Sequence, residues 1–93
     1  MYATIRSYSG GAGFVNALVA HEDEVRELIS TIDGFRAYYL LRTTDGATTI
    51  SVFADQEGAQ ASNAAAATWL AENLADVSPG SPQVTAGEVA LSF

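Results

Sequence analysis

His21 is the only histidine among 93 residues, and so the one side chain whose ordinary pKa lets it exchange protons near neutrality. At about 100° per residue it falls within roughly 60° of Phe14, Leu18, Val25 and Ile32, inside the apolar stripe of a helix expected over residues 14 to 32. That position allows two roles. The imidazole is a general base lining a pocket between helix and sheet, or it is a core histidine bonded to a strand or reaching solvent at the helix edge. It is not half of a metal site. His21-Glu22-Asp23-Glu24-Val25 opens like a zinc-binding helix but has Val25 where the second ligand must stand one turn on, so no metal is expected.

Trp69 sits in a segment otherwise built from alanine, where its ring either plugs the core or walls a pocket for a flat aromatic ligand. Asn63 and Asn73 offer amide donors nearby, or simply face solvent. Asn63 and Trp69 are six residues apart, which separates them by about 120° on a straight helix. Tyr2, Tyr8, Tyr38 and Tyr39 supply phenols, and Arg6 and Arg36 supply cations. If Tyr38 and Arg6 point toward the helices they suit a phenolate or carboxylate ligand. If they point away they belong to an interface, with Arg6 paired to Glu88.

Other chemistries are excluded by what the chain lacks. It has no lysine and no cysteine, which removes Schiff bases, the phosphate-binding lysine of a Walker loop, disulfides and thiolate ligands. Gly10-Gly11-Ala12-Gly13 resembles a dinucleotide loop, but Asn16 replaces the third glycine and the following strand ends without the acid that holds a ribose. We read it as a strand-to-helix loop, and no cofactor is expected. Eleven acids against four arginines give a net charge of −7, and residues 43–93 carry no side-chain cation. Neither nucleic acid nor an anionic membrane is an expected partner, because both need a basic footprint. Glu22, Asp23, Glu24 and Glu27 read as a solvated face.

Several elements must position these groups. Tyr2 to Tyr8 alternates as a first strand, with Tyr2, Thr4, Arg6 and Tyr8 on one face. The first helix ends at Asp33-Gly34, glycine suiting the left-handed position past a helix. Phe35 to Thr43 and Ala47 to Ala54 form a hairpin closed by Thr44-Asp45-Gly46, whose Asp-Gly pair favours a tight turn. Asp55 caps a second helix, alanine-rich from Ala59 to Ala75, which stops at Ser78-Pro79-Gly80-Ser81-Pro82. Val84 to Leu91 is a fourth strand.

The order β-α-β-β-α-β over residues 1–93 is one α+β, ferredoxin-like domain, with a four-stranded antiparallel sheet and two helices on one face. The second strand carries Phe35, Ala37, Tyr39 and Leu41 on one side and Arg36, Tyr38, Leu40 and Arg42 on the other. Apolar groups on both faces, with helices covering only one, lead us to expect a homodimer built sheet to sheet. With no apolar run of membrane-spanning length and no leader-like start, we expect a soluble, cytoplasmic protein.

Five segments carry a family resemblance: Met1-Tyr2-Ala3-Thr4-Ile5-Arg6, Ile32-Asp33-Gly34-Phe35-Arg36-Ala37-Tyr38-Tyr39, Asp45-Gly46, Ser51-Val52-Phe53-Ala54-Asp55 and Trp69-Leu70-Ala71-Glu72-Asn73-Leu74. Together they resemble the dimeric α/β-barrel superfamily, in particular small members related to antibiotic-biosynthesis monooxygenases. The resemblance implies a homodimer whose sheets form a barrel, with a pocket in each subunit between sheet and helices. The haem-degrading branch of that superfamily uses Asn, Trp and His. Here the first strand has no asparagine and the sole histidine is on the first helix, so that branch fits poorly. The quinol-oxidising branch places Asn and Trp on the second helix, which Asn63 and Trp69 echo.

Three functions follow as expectations. The first is an uncharacterised protein binding a small aromatic or apolar ligand between sheet and helices, lined by Trp69, Asn63, Tyr38 and Arg6. The second is a cofactor-independent monooxygenase of a phenol or quinol, with His21 as catalytic base. The third is a structural or regulatory dimerisation module.

Overall fold

Alternating burial along the strands sets the architecture. A computed structural model of the chain describes residues 1–10 and 13–93. Its elements are β1 (Tyr2–Ser9), α1 (Phe14–Ala20), α2 (Glu22–Ser30), β2 (Phe35–Thr43), β3 (Gly46–Phe53), α3 (Gln56–Asn73) and β4 (Gln83–Glu88). The strands form one antiparallel sheet in the order β2-β3-β1-β4, the ferredoxin-like arrangement. Thr4, Arg6 and Tyr8 of β1 and Ala47, Thr49, Ser51 and Phe53 of β3 are all buried, the period of two expected of strands with one covered face. Against them pack Phe14, Val15 and Leu18 of α1, Ile29 of α2, and Ala59, Ala66 and Leu70 of α3.

The expected first helix is two helices. The chain bends at His21, whose backbone leaves the helical region and whose amide is shared between the carbonyls of Ala17 (3.2 Å) and Leu18 (3.1 Å). Glu22, Asp23 and Glu24, read above as a solvated face, make the first turn of α2, where carboxylates meet the positive end of the new helix. That acidic run was a start signal inside an otherwise continuous apolar stripe. The expected loop at Gly11 and Ala12 lies outside the described residues.

Two other expectations change in detail. A bulge between Phe35 and Ala37 inserts one extra residue in β2, so Phe35 joins Tyr38 on the helix-facing side and not Tyr39 and Leu41. The β2–β3 turn has Thr44 and Asp45 at its centre, and Gly46 is the first residue of β3. Its φ is not positive, unlike that of Gly34 at +83° beyond α2. What Gly46 supplies is the lack of a side chain, since a Cβ there would stand 2.0 Å from the Tyr8 carbonyl oxygen. Asp55 caps α3 as expected, accepting from the Gly58 amide at 3.0 Å.

The face of the sheet turned away from the helices carries Ala3, Ile5, Ala37, Tyr39, Leu41, Ile50 and Val52, and Tyr39 and Leu41 are exposed. β4 is a wholly exposed edge strand that ends at Glu88, short of the expected Leu91. Among the described residues no helix is long and apolar enough to cross a membrane.

Candidate functional site

Between sheet and helices lies a buried cation. The alternation of β1 turns Arg6 toward α3, leaving it 3% exposed, and there Nη1 donates to Asn63 Oδ1 at 2.8 Å. Nη2 reaches Ser51 Oγ at 3.4 Å, and Thr4 Oγ1 donates to the same Asn63 oxygen at 3.1 Å. Asn63 is therefore fixed as an acceptor, its carbonyl end serving two donors. No carboxylate pairs with Arg6 among the described residues, and its Nε and the Thr49 hydroxyl are buried without a partner. A guanidinium cannot shed its proton, so this charge stays in the core half-satisfied. The Arg6–Glu88 pair considered above does not form: Arg6 lies opposite Val84, and Glu88 opposite Tyr2. The alternative in which Arg6 and Tyr38 both face the helices is the one the fold adopts.

Three cavities surround this group. The largest, about 570 Å³, opens between the α1–α2 pair and β2 and is walled mainly by Leu18, Val25, Ile29, Phe35, Tyr38 and Leu40. A second, about 430 Å³, lies between α3, β1 and the segment leading into β4, and includes Arg6, Tyr8 and Asn63. Between them is a neck of about 20 Å³ that touches Arg6, Tyr8, Tyr38, Thr49 and Trp69. The neck shares Tyr38 with the larger cavity, and Arg6 and Tyr8 with the smaller.

The fold thus gathers four of the five singled-out residues and sets the fifth apart. Arg6, Tyr38 and Trp69 meet at the neck, and Asn63 grips Arg6 from the far side. Asn63 and Trp69 diverge as their spacing requires, yet both adjoin Arg6. His21 lines none of these cavities. At the bend between α1 and α2 its ring stands edge-on to Trp69, centroids 5.5 Å apart, while Nδ1 meets Glu24 Oε2 at 2.7 Å on the outside of the helix pair. Its side chain is 40% exposed. The helix break accounts for this, since it moves His21 from the middle of a stripe to the end of a helix. Asn73 is also outside, donating to the Trp69 carbonyl at 3.0 Å. Arg36 is exposed at the bulge of β2.

Sequence reasoning missed Thr4, Thr49 and Ser51, the small hydroxyls facing the guanidinium. Polar residues on the inward face of a central strand were the available signal. Among the described residues no three His, Asp or Glu side chains gather to hold a metal ion. None of the three cavities offers an imidazole to a haem iron.

Burial raises the pKa of Tyr8 and of Tyr38, with the Arg6 charge pulling each part of the way back. Both are therefore neutral phenols, able to donate, at physiological pH. The linkage has a definite sign. Their contribution to stability is complete below the ordinary phenol value of 10.0 and is lost as pH rises through the higher folded values, because the unfolded chain ionises first. A series of urea midpoints from about pH 9 to about pH 11 is expected to fall, and to fall less steeply in Tyr38→Phe. Equal slopes in both proteins would contradict the burial of this phenol.

The fold and this site define a class: an α+β, ferredoxin-like protein with ligand-sized space between sheet and helices, the fold of antibiotic-biosynthesis-monooxygenase-like proteins. Among solved structures, the chain is similar to a protein of unknown function from Nitrosomonas europaea, with 22% identity over 99% of this chain and 91% of that one, and a TM-score of 0.75. It is similar to the haem degrader MhuD from Mycobacterium tuberculosis with two haems bound in its active site, at 20% identity over 100% and 99% of the two chains and a TM-score of 0.73. It is also similar to a monooxygenase of Streptomyces coelicolor in complex with nanaomycin D, at 17% identity over 99% and 88% and a TM-score of 0.68. No family model and no curated protein matches the chain.

Proposed function

We propose that this protein is a cytoplasmic homodimer that binds a small aromatic or apolar ligand between sheet and helices. The observation that carries this reading is the apolar cavity of about 570 Å³ beside β2, within the size range of small-molecule sites. Tyr38 at its floor gives the ligand a phenol to bond, and Trp69 and Arg6 stand just beyond, at the neck. The dimer is supported by the apolar sheet face of Ile5, Tyr39, Leu41, Ile50 and Val52, which the protomer leaves uncovered. Nanaomycin D in the Streptomyces monooxygenase and haem in MhuD give two aromatic classes to try.

Thermal melts with phenols, quinols, flavin and haem test the reading. A ligand at about ten times its Kd adds about 1.4 kcal/mol, on the order of 5–10 °C for a domain this small. The shift is expected for at least one aromatic class and is expected to vanish in Val19→Trp, an exposed position at the cavity rim whose larger side chain closes the mouth. If no class shifts the melt, the reading fails and a dimerisation module is left.

The likeness to the Streptomyces monooxygenase supports a second reading, a cofactor-independent monooxygenase of a phenol or quinol in the same space. Arg6 favours it as well, since a cation stabilises the electron-rich anion that reacts with oxygen. His21 as base depends on motion at the α1–α2 bend, so oxygen uptake that persists in His21→Ala would move the base elsewhere.

A further inference from the structure

The neck between the two cavities brings together the two buried polar atoms that the fold leaves without partners. Arg6 and Thr49 stand directly opposite each other on β1 and β3, so their inward side chains are neighbours, and each residue is 3% exposed. Arg6 Nε and the Thr49 hydroxyl have no hydrogen-bond partner, and both residues line the neck. Tyr8, Tyr38 and Trp69 line it as well, the two tyrosines kept neutral by burial. Every polar side chain around the neck thus carries an N–H or O–H to donate, and among the described residues no carboxylate lines it. The rest of the lining is apolar, Leu18, Ile29 and Leu70 included. At about 20 Å³ the neck has room for one particle of roughly the size of a water molecule, too little for an organic carboxylate or a phosphate.

We infer that the neck is a halide site, in which one chloride or bromide ion accepts from Arg6 Nε and the Thr49 hydroxyl and gives the buried guanidinium its counter-charge. A water in that space accepts from two donors, must find acceptors for its own two hydrogens, and leaves the charge uncompensated. A monatomic anion accepts from every donor it touches, has no hydrogen to place, and neutralises the charge where little water screens it. Seated there, the ion also separates the two cavities, because the neck is where they adjoin. The assignment is independent of what occupies either cavity.

Trp69 is the only tryptophan in the chain, so its fluorescence reads the neck. Sodium bromide, a heavy-atom quencher, is titrated in place of sodium gluconate at constant ionic strength, gluconate being too large to enter. Collisions alone quench in proportion to bromide, whereas a bound ion adds a component that saturates, and the saturating component is expected in the wild-type protein. Arg6→Met is expected to abolish it. Thr49→Val keeps the shape of the side chain without its O–H and is expected to raise the half-saturating bromide concentration about tenfold. Melting temperatures give a second readout. In gluconate Thr49→Val is expected to melt at or above the wild type, since an unpaired buried hydroxyl has been removed; in bromide the order is expected to reverse. Purely proportional quenching of the wild type overturns the proposal, as does an unchanged saturating component in either variant or a melting order that is the same in both salts.

Discussion

Alanine at position 46 is expected to destabilise the protein by about 3 kcal/mol or more, a large share of the stability of a small domain. The added carbon would lie 2.0 Å from the Tyr8 carbonyl oxygen and 3.2 Å from the Ser9 Cα, both on the neighbouring central strand. Neither atom is the free end of a side chain, so relief requires β1 and β3 to part where Ser9 faces Gly46. Gly80→Ala is the natural control: a φ of +98° makes it strained, but nothing lies within 4 Å of the new carbon, and a cost of about 1 kcal/mol is expected. Urea denaturation with an unchanged slope reads both. Equal costs for the two would mean that the strands can separate there freely.

Asn63→Leu is expected to cost about 3–5 kcal/mol, more than its partly buried position alone would indicate. The change removes the acceptor of the shortest hydrogen bond to Arg6, at 2.8 Å, and strands the Thr4 hydroxyl as well. A charge left without partners in the core is far more expensive than no charge. Arg6→Met is accordingly expected to be mild or even stabilising, and the double variant to regain most of what Asn63→Leu loses. Chemical denaturation of the four proteins closes the cycle, with a coupling energy of about 2 kcal/mol or more expected. If the two effects simply add, Arg6 is not held by Asn63 in solution.

Both predictions concern residues whose importance was only partly legible in the chain. Local signals served well: Asp55 was readable as a cap because a carboxylate three residues before a helical amide needs nothing distant, and Gly34 as a helix terminator for the same reason. The strand order followed from alternation and the preference for right-handed crossovers. Gly46 was noticed for the wrong property. A turn accounts for a glycine from sequence alone, whereas close approach to another strand is invisible until the register with Tyr8 and Ser9 is known.

Candidate site residues divide along the same line. Periodicity carried His21 into the stripe correctly as an angle, but angles accumulate only along an unbroken helix, and the bend at His21 resets them. For Arg6 the sequence left two faces open, because Tyr2, Thr4, Arg6 and Tyr8 form a polar row that suits either an interface or a buried network. The bulge at Phe35 and Ala37 is likewise a matter of register.

By itself, then, the sequence determined the element order, the antiparallel ferredoxin-like sheet, the sites of capping, the acidic balance and the list of chemistries the chain lacks the residues for. These depend on composition and on spacings of a few residues, over which the backbone is nearly regular. Tertiary structure alone decided that Arg6 is buried against Asn63, Ser51 and Thr4, that Tyr38 and Trp69 meet it at the neck between two cavities, and that His21 stands outside. Each of those facts joins residues from different elements, Thr4 and Asn63 for instance standing 59 positions apart, and such contacts are set by how faces pack. No local periodicity encodes which side of a sheet the helices will cover.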